Sequence, residues 1–355
     1  MDIKNHDVKA AVLCAEGFKL SEFDLLGMTA CERVAAGLSG AQCLPRSSLL
    51  QAVNNFSTSA RYGLIVSEEY PLFDSQLLEE ILEYCQAARP QALRFEGGII
   101  FETAAAADIE SLNGIMFKHF DSSKLIKLTE KTLPYIYNRI KNIITERHLS
   151  AGVIIPQPDY VYIDEHSVVG EGTQINAGCV LKRSTVGSGC LLDTGCTLED
   201  SVLSDGVTVT SSIIRGGNVG AGTAVGPYSF IRPGTKVGKN CRVGDFVELK
   251  NSVLGDGTKV AHLAYVGDAQ LGKSCNVGCG AVFVNYDGKL KQKSSVGDNV
   301  FIGSNCNIIA PVNVGEGSYL AAGTTVTENV PPFALCVGRS RQTVKPEWAR
   351  ARFES

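Results

Sequence analysis

Side chains able to bind anions or move protons are concentrated between residues 232 and 291. At the end of this stretch the segment VNYDGKLKQKSS interrupts an otherwise regular pattern. Loops that leave a regular structure often carry binding groups, so we expect a functional site here. Its candidate residues are Arg232, Glu248, Lys250, His262, Tyr265, Asn276, Asn285, Tyr286 and Lys291.

Two cations of this set occupy matching positions. Arg232 follows Ile231 and Lys250 follows Leu249, three six-residue units further on. Residues at this spacing stack on adjacent turns of a six-residue-repeat coil, about 4.8 Å apart, where two cations repel unless an anion lies beside them. The pair therefore predicts a phosphate clamp, with a solvated basic ridge as the alternative.

His262 lies in the segment AHLAYVGD, two positions after the apolar Val260. A single histidine is often structural, but beside a cation pair and a loop rich in Asn, Tyr and Lys it becomes a candidate proton acceptor. Ser304 and Ala322 are also three six-residue units apart. They form a column of small residues on which an extended ligand could lie, although the repeat itself favours small residues.

The elements that carry these residues follow a period of six. Aliphatic residues recur at this period between Ile163 and Val326, often with Gly next to them. The period fits neither a helix nor a single long strand, and a β-sandwich would not maintain it over so many residues. It is typical of the hexapeptide β-helix, in which three short strands form one triangular coil and the aliphatic residues point inwards. We predict a left-handed parallel β-helix of roughly nine coils over residues 151–338, followed by a tail at 339–355.

The first part of the chain lacks this repeat. Residues 1–120 predict a small α/β domain with strands at Val8–Ala15, Tyr62–Ser67 and Gly98–Phe101 and helices at Ala30–Leu38 and Ser75–Gln86. Residues 121–150 are assigned to a long connecting helix over Lys124–His148, with Asp121 or Ser122 as its N-cap.

Composition excludes several classes of protein. A net charge of −4 gives no general attraction to nucleic acid. No apolar run approaches the roughly 20 residues that span a bilayer, and Ala10–Ala15 is too short for the core of a signal peptide. The twelve cysteines include no C-x-x-C pair, so we expect no zinc site and reduced thiols in a cytoplasmic protein.

The motifs that carry a family resemblance are FIRPGTKVGKNCRVGDFVELKNSVLGDGTKVAHLAYVGDA, NVGCG, NYDGKLKQK, VFIGSN, LAAGTTVTENV and VGRSRQ. From about Leu149 to Trp348 the chain resembles the acetyltransferase half of a bacterial bifunctional family. These are the N-acetylglucosamine-1-phosphate uridylyltransferase/glucosamine-1-phosphate N-acetyltransferases.

The resemblance implies a role for each candidate residue. The amino-sugar phosphate is expected to bind Arg232, Lys250, Tyr265, Asn276 and Lys291. Acetyl-CoA, the acyl donor, is expected to lie against Cys279, Asn285, Tyr286, Ser304, Ala322 and Arg339. His262 becomes the general base, because an ammonium cannot attack a thioester and a neutral imidazole must accept the proton of the attacking amine. Glu248 is the residue expected to orient that imidazole. No metal is needed for acetyl transfer, and the family implies a homotrimer with sites at subunit interfaces.

The chain departs from the family pattern in two places. Cys279 stands where the family has Ala. The stretch Val12–Leu26 reads VLCAEGFKLSEFDLL where the family has the phosphate-binding LAAGxGTRMxSxxPK, and without those glycines the backbone cannot wrap a triphosphate. Glu69, in EEYPL, is the nearest candidate for the missing acidic metal ligand, and no asparagine occurs near Asp121–Lys124 for the second. We therefore expect a truncated first domain that has lost uridylyltransferase activity.

The sequence thus predicts acetyl-CoA-dependent N-acetylation of glucosamine 1-phosphate, a step towards UDP-N-acetylglucosamine for the cell envelope. One alternative is an acyltransferase that uses another amino-sugar phosphate. A second is a non-catalytic trimeric scaffold or regulatory homologue. The retained polar set argues against the second, since a scaffold needs the inward aliphatic residues but not His262, Tyr265 or Lys291.

Overall fold

A computed structural model describes residues 8–14, 20, 23–38, 41–45, 60–88, 90–103, 115–120, 122 and 124–353. The chain divides into two compact units, Met1–Glu146 and Arg147–Ser355. Among the described residues, no helix is both long enough and apolar enough to cross a membrane.

The first unit contains a six-stranded sheet in the order β2-β1-β3-β5-β4-β6. Its strands are β1 Val8–Cys14, β2 Gln42–Pro45, β3 Tyr62–Ser67, β4 Ala92–Phe95, β5 Gly98–Glu102 and β6 Met116–Phe117. β1 runs parallel to β2 and β3, whereas β5 is antiparallel to β3 and β4. Helices α1 (Ala30–Gly37) and α2 (Ser75–Ala88) contribute to a core that includes Val34, Leu77 and Ile81.

The predicted strands and helices of this unit are confirmed to within two residues at each described end. The start of α1 has a local cause: the Thr29 hydroxyl accepts a hydrogen bond from the Glu32 N–H, and the Glu32 carboxylate accepts one from the Thr29 N–H. Strands β2, β4 and β6 were not predicted, because segments of two to four residues are too short to show the alternation of apolar and polar residues that identifies a strand.

The predicted connecting helix begins too early. Helix α3 spans Leu133–Ser150 and does not start at Lys124. Pro134 is compatible only with the first turn of a helix, and just ahead of it the backbone N–H groups of Thr129 and Thr132 each donate to the other residue's hydroxyl, at 2.8 and 3.2 Å. Ser122 therefore caps no helix, and Asp121 lies outside the described residues. The division between the two units falls within α3.

The second unit is a left-handed parallel β-helix, as predicted, with about ten turns where roughly nine were expected. Its strands form three faces. The first face contains β7 Tyr162–Ile163, β10 Val180–Lys182, β13 Thr197–Glu199, β16 Ile213–Arg215, β19 Phe230–Ile231, β26 Val282–Val284, β29 Asn307–Ile309 and β32 Thr325–Val326. The second contains β9 Gln174–Ile175, β12 Leu191–Leu192, β15 Thr208–Val209, β18 Ala224–Val225, β25 Asn276–Val277, β28 Phe301–Ile302, β31 Tyr319–Leu320 and β33 Leu335–Cys336. The third contains β8 Val168–Val169, β11 Thr185–Val186, β14 Val202–Leu203, β17 Asn218–Val219, β20 Lys236–Val237, β22 Val253–Leu254, β24 Ala269–Leu271, β27 Ser294–Val296 and β30 Asn313–Val314.

Two longer strands join the second face to the first. β21 (Arg242–Lys250) and β23 (Lys259–Gly267) each begin on the second face, bend through the corner and end on the first. The bend needs a glycine at its start, because a Cβ on Gly244 would lie 1.8 Å from the carbonyl oxygen of Ala261. Ile231, Leu249 and Val260 are completely buried, so the aliphatic residues of the repeat form the core of the prism.

Of the cysteines whose side chains the structure describes, all but one are free thiols. Cys179, Cys190, Cys196, Cys241, Cys275 and Cys306 are free thiols buried in the prism. Cys31 in α1 is disulfide-bonded. The expectation that the thiols are reduced is therefore wrong for this residue.

Candidate active site

The corner between the second and first faces carries His262 and an acidic partner. Asp245 on β21 is the register neighbour of His262 on β23, and its Oδ1 lies 2.6 Å from the histidine Nδ1. This hydrogen bond holds the pKa of the Asp245 carboxyl below its usual range. A proton on Nδ1 that is shared with the carboxylate leaves Nε2 with a free lone pair, which is the arrangement of a general base.

Glu248, the residue expected to orient His262, has another role. Its Oε1 accepts a hydrogen bond from the Arg232 Nη1 at 2.8 Å, and its register neighbour on β23 is Tyr265. The prediction for Glu248 is therefore wrong, and Asp245 was missed. Adjacent turns are 17 residues apart here, which is the signal that could have found Asp245.

The corner column continues from His262 over successive turns. The Gly280 N–H donates to the Leu263 carbonyl at 2.6 Å, the Asn305 N–H to Cys279 at 2.8 Å and the Gly323 N–H to Ser304 at 2.8 Å. These bonds stack Ser304 on Cys279 and Ala322 on Ser304, and they place Cys279 on the turn that follows His262 and Leu263. Arg339 ends the column. Its Cδ packs over Gly323, 3.7 Å from the position that a Cβ of residue 323 would occupy. We call His262, Cys279, Ser304, Ala322 and Arg339 the corner column. The predicted adjacency of Ser304 and Ala322 is confirmed.

The stacking of Arg232 and Lys250 on adjacent turns of the first face is confirmed as well. Ile231 and Leu249 are register neighbours, and the Arg232 N–H donates to the Leu249 carbonyl at 2.8 Å. Each cation has its own carboxylate: Arg232 pairs with Glu248, and the Lys250 Nζ lies 2.8 Å from the Asp268 Oδ2. The hydrogen bond that Lys250 donates to the Asp268 carboxylate raises the pKa of Lys250, so its ammonium persists. Repulsion between the two cations is thereby offset within the chain.

The interruption of the repeat leaves the prism at the opposite edge of the first face, between β26 and β27. Tyr286 and Lys291 pair across this loop, and both are exposed. The Tyr286 hydroxyl donates to the Gly288 carbonyl at 2.7 Å. Asn285 is 9% exposed and its amide donates to the Asp268 carboxylate, so its contact with acetyl-CoA stays a prediction.

One chain therefore distributes the predicted residues over several surfaces. Tyr265 lies on the first face with Arg232 and Lys250. Asn276 lies on the second face, beside Lys259 and Phe301 in register. The structure groups the corner column and, through Asp268, joins Lys250 to Asn285, with the Lys291 side chain close to that of Lys250. Asn276, on the second face, belongs to neither group.

The first unit offers little for nucleotide chemistry among its described residues. The Glu69 Oε1 lies 2.8 Å from the Lys127 Nζ, so this candidate metal ligand is already neutralised. Ligand-type atoms of Cys14, Cys31 and Glu68 lie within 4.8 Å of one another, but a disulfide-bonded Cys31 offers no thiolate to a metal. Most of the loop that should cradle a phosphate, at residues 15–19 and 21–22, lies outside the described residues.

The chain is similar to known bifunctional proteins over part of its length. A bifunctional protein GlmU from Acetivibrio thermocellus is 44% identical over 230 residues, which are 64% of this chain and 50% of that protein. One from Clostridium botulinum is 47% identical over 206 residues, 58% of this chain and 45% of that protein. The second part of this chain is similar to GlmU proteins. The predicted resemblance is confirmed for the acetyltransferase half, and the chain spans about half the length of these GlmU relatives.

Two further comparisons concern the repeat. Residues 294–328 match the family described as hexapeptide repeat of succinyl-transferase. A UDP-N-acetylglucosamine acyltransferase from Francisella novicida aligns with a TM-score of 0.39 at 15% identity, covering 56% of this chain and 73% of its own. The corresponding protein from Campylobacter jejuni aligns with a TM-score of 0.38 at 17% identity, covering 57% and 77%.

Proposed function

We propose that this chain is an acetyl-CoA-dependent N-acetyltransferase that acts on glucosamine 1-phosphate and so supplies a precursor of UDP-N-acetylglucosamine. The observation that carries the proposal is the Asp245–His262 pair at the start of the corner column. A general base with one nitrogen held by a carboxylate, next to a column of small residues that ends in an arginine, suits an extended thioester donor with phosphates at its far end.

The reaction follows from these residues. The acceptor amine attacks the thioester carbonyl while the Nε2 of His262 accepts the amine proton. Collapse of the tetrahedral intermediate breaks the carbon–sulfur bond, and the imidazolium returns the proton to the departing CoA thiolate. In the proposed complex the acceptor phosphate takes the place of Glu248 or Asp268 as a partner of Arg232 and Lys250. Two stacked cations favour an anionic over a neutral sugar.

Assembly into a homotrimer, with acetyl transfer sites at the subunit interfaces, is part of the same proposal. Tyr228, Phe246 and Leu263 form a ridge beside the corner column and are 64%, 58% and 57% exposed. Their φ angles of 58°, 56° and 32° are strained for bulky side chains, and the rings of Tyr228 and Phe246 stack at 5.6 Å. An exposed apolar ridge held in a strained backbone supports contact with a second copy of the chain, which would bring separate faces into one site.

The enzymatic proposal is tested by release of free thiol from acetyl-CoA in the presence of glucosamine 1-phosphate. We expect turnover by the wild-type chain and a loss of about 10²–10⁴-fold in His262→Ala. His166→Ala is the matched control, because His166 is exposed on another turn of the prism. Turnover only with a different amino-sugar phosphate would identify the acceptor as that sugar, and no turnover with any would leave the scaffold alternative.

We further propose that uridylyltransferase activity is absent. The neutralised Glu69 and the lack of the glycine-rich sequence in Val12–Leu26 support this proposal. Incubation with UTP, Mg²⁺ and N-acetylglucosamine 1-phosphate should release no pyrophosphate above background. Sustained pyrophosphate release would overturn it without affecting the acetyltransferase proposal.

A further inference from the structure

Asp268 holds together three segments that the sequence keeps apart. Its carboxylate accepts hydrogen bonds from the Lys250 Nζ at 2.8 Å, from the Asn251 Nδ2 at 2.6 Å and from the Asn285 amide. Its backbone also contributes, with the N–H donating to the Lys250 carbonyl at 2.9 Å and the carbonyl accepting from Ser294 at 3.4 Å. Asp268 thus contacts the end of β21 and both ends of the loop between β26 and β27.

The charge of Asp268 depends on these contacts. Its side chain is only 7% exposed, and burial by itself would favour the neutral acid. Hydrogen bonds from Lys250, Asn251 and Asn285 outweigh the burial and lower the pKa of Asp268. The carboxylate is therefore ionised at neutral pH, and Lys250 supplies its counter-charge. Loss of that counter-charge would leave a buried anion held only by amides.

We propose that Asp268 is a positioning residue that couples Lys250 to the loop 285–293. The inference rests on the proposed function, in which Lys250 binds the acceptor phosphate and the loop contributes to donor binding. Because one carboxylate is shared by Lys250 and Asn285, a change in the partner of the lysine is transmitted to the base of the loop. Asp268 itself is too buried to contact either substrate, so its effect on both must be indirect.

The same corner provides a matched control. Asp200 occupies the equivalent position on an earlier turn: its N–H donates to Lys182 at 3.0 Å, as that of Asp268 does to Lys250, and the two have φ angles of 50° and 49°. Asp200 also pairs with a cation, since its Oδ1 lies 2.7 Å from the Arg183 Nε. No loop leaves the prism beside it. Asp200→Asn therefore removes a carboxylate–cation pair at the equivalent corner position, here an exposed pair with Arg183, without touching the loop.

Hydrogen exchange followed by mass spectrometry tests the coupling on the full chain. Amides in residues 285–294 should exchange roughly tenfold faster in Asp268→Asn and in Lys250→Met than in the wild type or in Asp200→Asn. The double variant Asp268→Asn/Asn285→Ala should exchange no faster than Asp268→Asn, because Asn285 donates to the Asp268 carboxylate that the first substitution removes. Lys250 is less suited to this cycle, since its side chain also lies close to Lys291 in the loop. Wild-type exchange in Asp268→Asn, or fully additive effects in the double variant, would contradict the proposal.

A kinetic measurement separates positioning from general destabilisation. Asp268→Asn should raise the KM for both glucosamine 1-phosphate and acetyl-CoA severalfold while kcat changes less, whereas Asp200→Asn should change neither KM. A fall in kcat alone, with both KM values retained, would indicate a structural role and overturn the assignment. The exchange result does not require turnover, so a failure of the acetyltransferase proposal is distinguishable from a failure of the coupling. If Asp268→Asn does not fold, Asn285→Ala tests the same link from the loop side and should also accelerate exchange.

Discussion

At the residue scale, the Asp245 carboxylate determines which nitrogen of His262 is available for chemistry. A hydrogen bond of 2.6 Å from Nδ1 orients the ring and favours the tautomer that leaves Nε2 unprotonated. Asp245 touches neither reacting group in the proposed mechanism, so it acts through the histidine. Its contribution is therefore separable from that of His262 by substitution.

Asp245→Asn should lower kcat for acetyl transfer by roughly 10²-fold, because the amide can donate to Nδ1 and favour the wrong tautomer. Thiol release from acetyl-CoA measures the effect. His262→Ala should lower kcat at least as much, and the double variant should have a kcat no lower than that of His262→Ala. An Asp245→Asn enzyme with wild-type kcat would show that the imidazole needs no carboxylate partner.

The exposure of Cys279 makes the corner column accessible to chemical labelling. It is exposed, whereas the other free cysteines among the described residues are buried or half-buried. Iodoacetamide should therefore modify Cys279 first, and saturating acetyl-CoA should slow this labelling by about tenfold or more, because bound donor would cover the corner column. Peptide mass spectrometry can follow the modification, with the half-buried Cys336 as the internal control. Equal labelling with and without acetyl-CoA would argue against donor binding at this corner.

At the element scale, the bent strands β21 and β23 bring the proposed base His262 and its partner Asp245 into register. Both strands pass from the second face to the first, and Asp245 and His262 lie at the bend. The bend depends on glycine at position 244, because a side chain there would overlap the Ala261 carbonyl of the next turn. Catalytic geometry and local stability are therefore linked at this corner.

Gly244→Ala should destabilise the prism by about 3 kcal/mol, because the added Cβ would overlap the Ala261 carbonyl oxygen and force the two turns apart. Thermal unfolding followed by circular dichroism measures the change. Gly288→Ala is the control, since nothing lies within 4 Å of its Cβ position, although its φ of 96° carries some strain. Equal melting temperatures for the two variants would show that the corner tolerates a side chain.

At the scale of the whole molecule, the proposed trimer accounts for a ridge that one chain leaves exposed. Phe246 has a left-handed backbone, which Asn adopts more readily than Phe. Phe246→Asn should therefore preserve the single-chain fold while removing apolar contact area between copies. Sedimentation should give three times the 37.8 kDa of one chain for the wild type and a shift towards one chain for the variant. A wild-type chain that sediments as a monomer would contradict the trimer.

The spacing of aliphatic residues along the chain was enough to predict the β-helix and several stacked neighbours in it. A period of six with inward aliphatic residues places each side chain in a column, so the stacking of Arg232 on Lys250 and of Ser304 on Ala322 followed from spacing alone. The same reasoning placed most elements of the first unit, where capping and amphipathic patterns are local.

The pairing of polar groups between turns, in contrast, became clear only from the folded coil. A turn of 17 residues joins Asp245 to His262, whereas 18 residues separate Lys250 from Asp268, so a fixed spacing does not identify the partner. Likewise, α3 begins at Leu133 because Pro134 and the two threonines before it override an apolar periodicity that starts earlier. Hydrogen bonds between turns depend on the local length of the coil and on burial, and neither is readable from residue type alone.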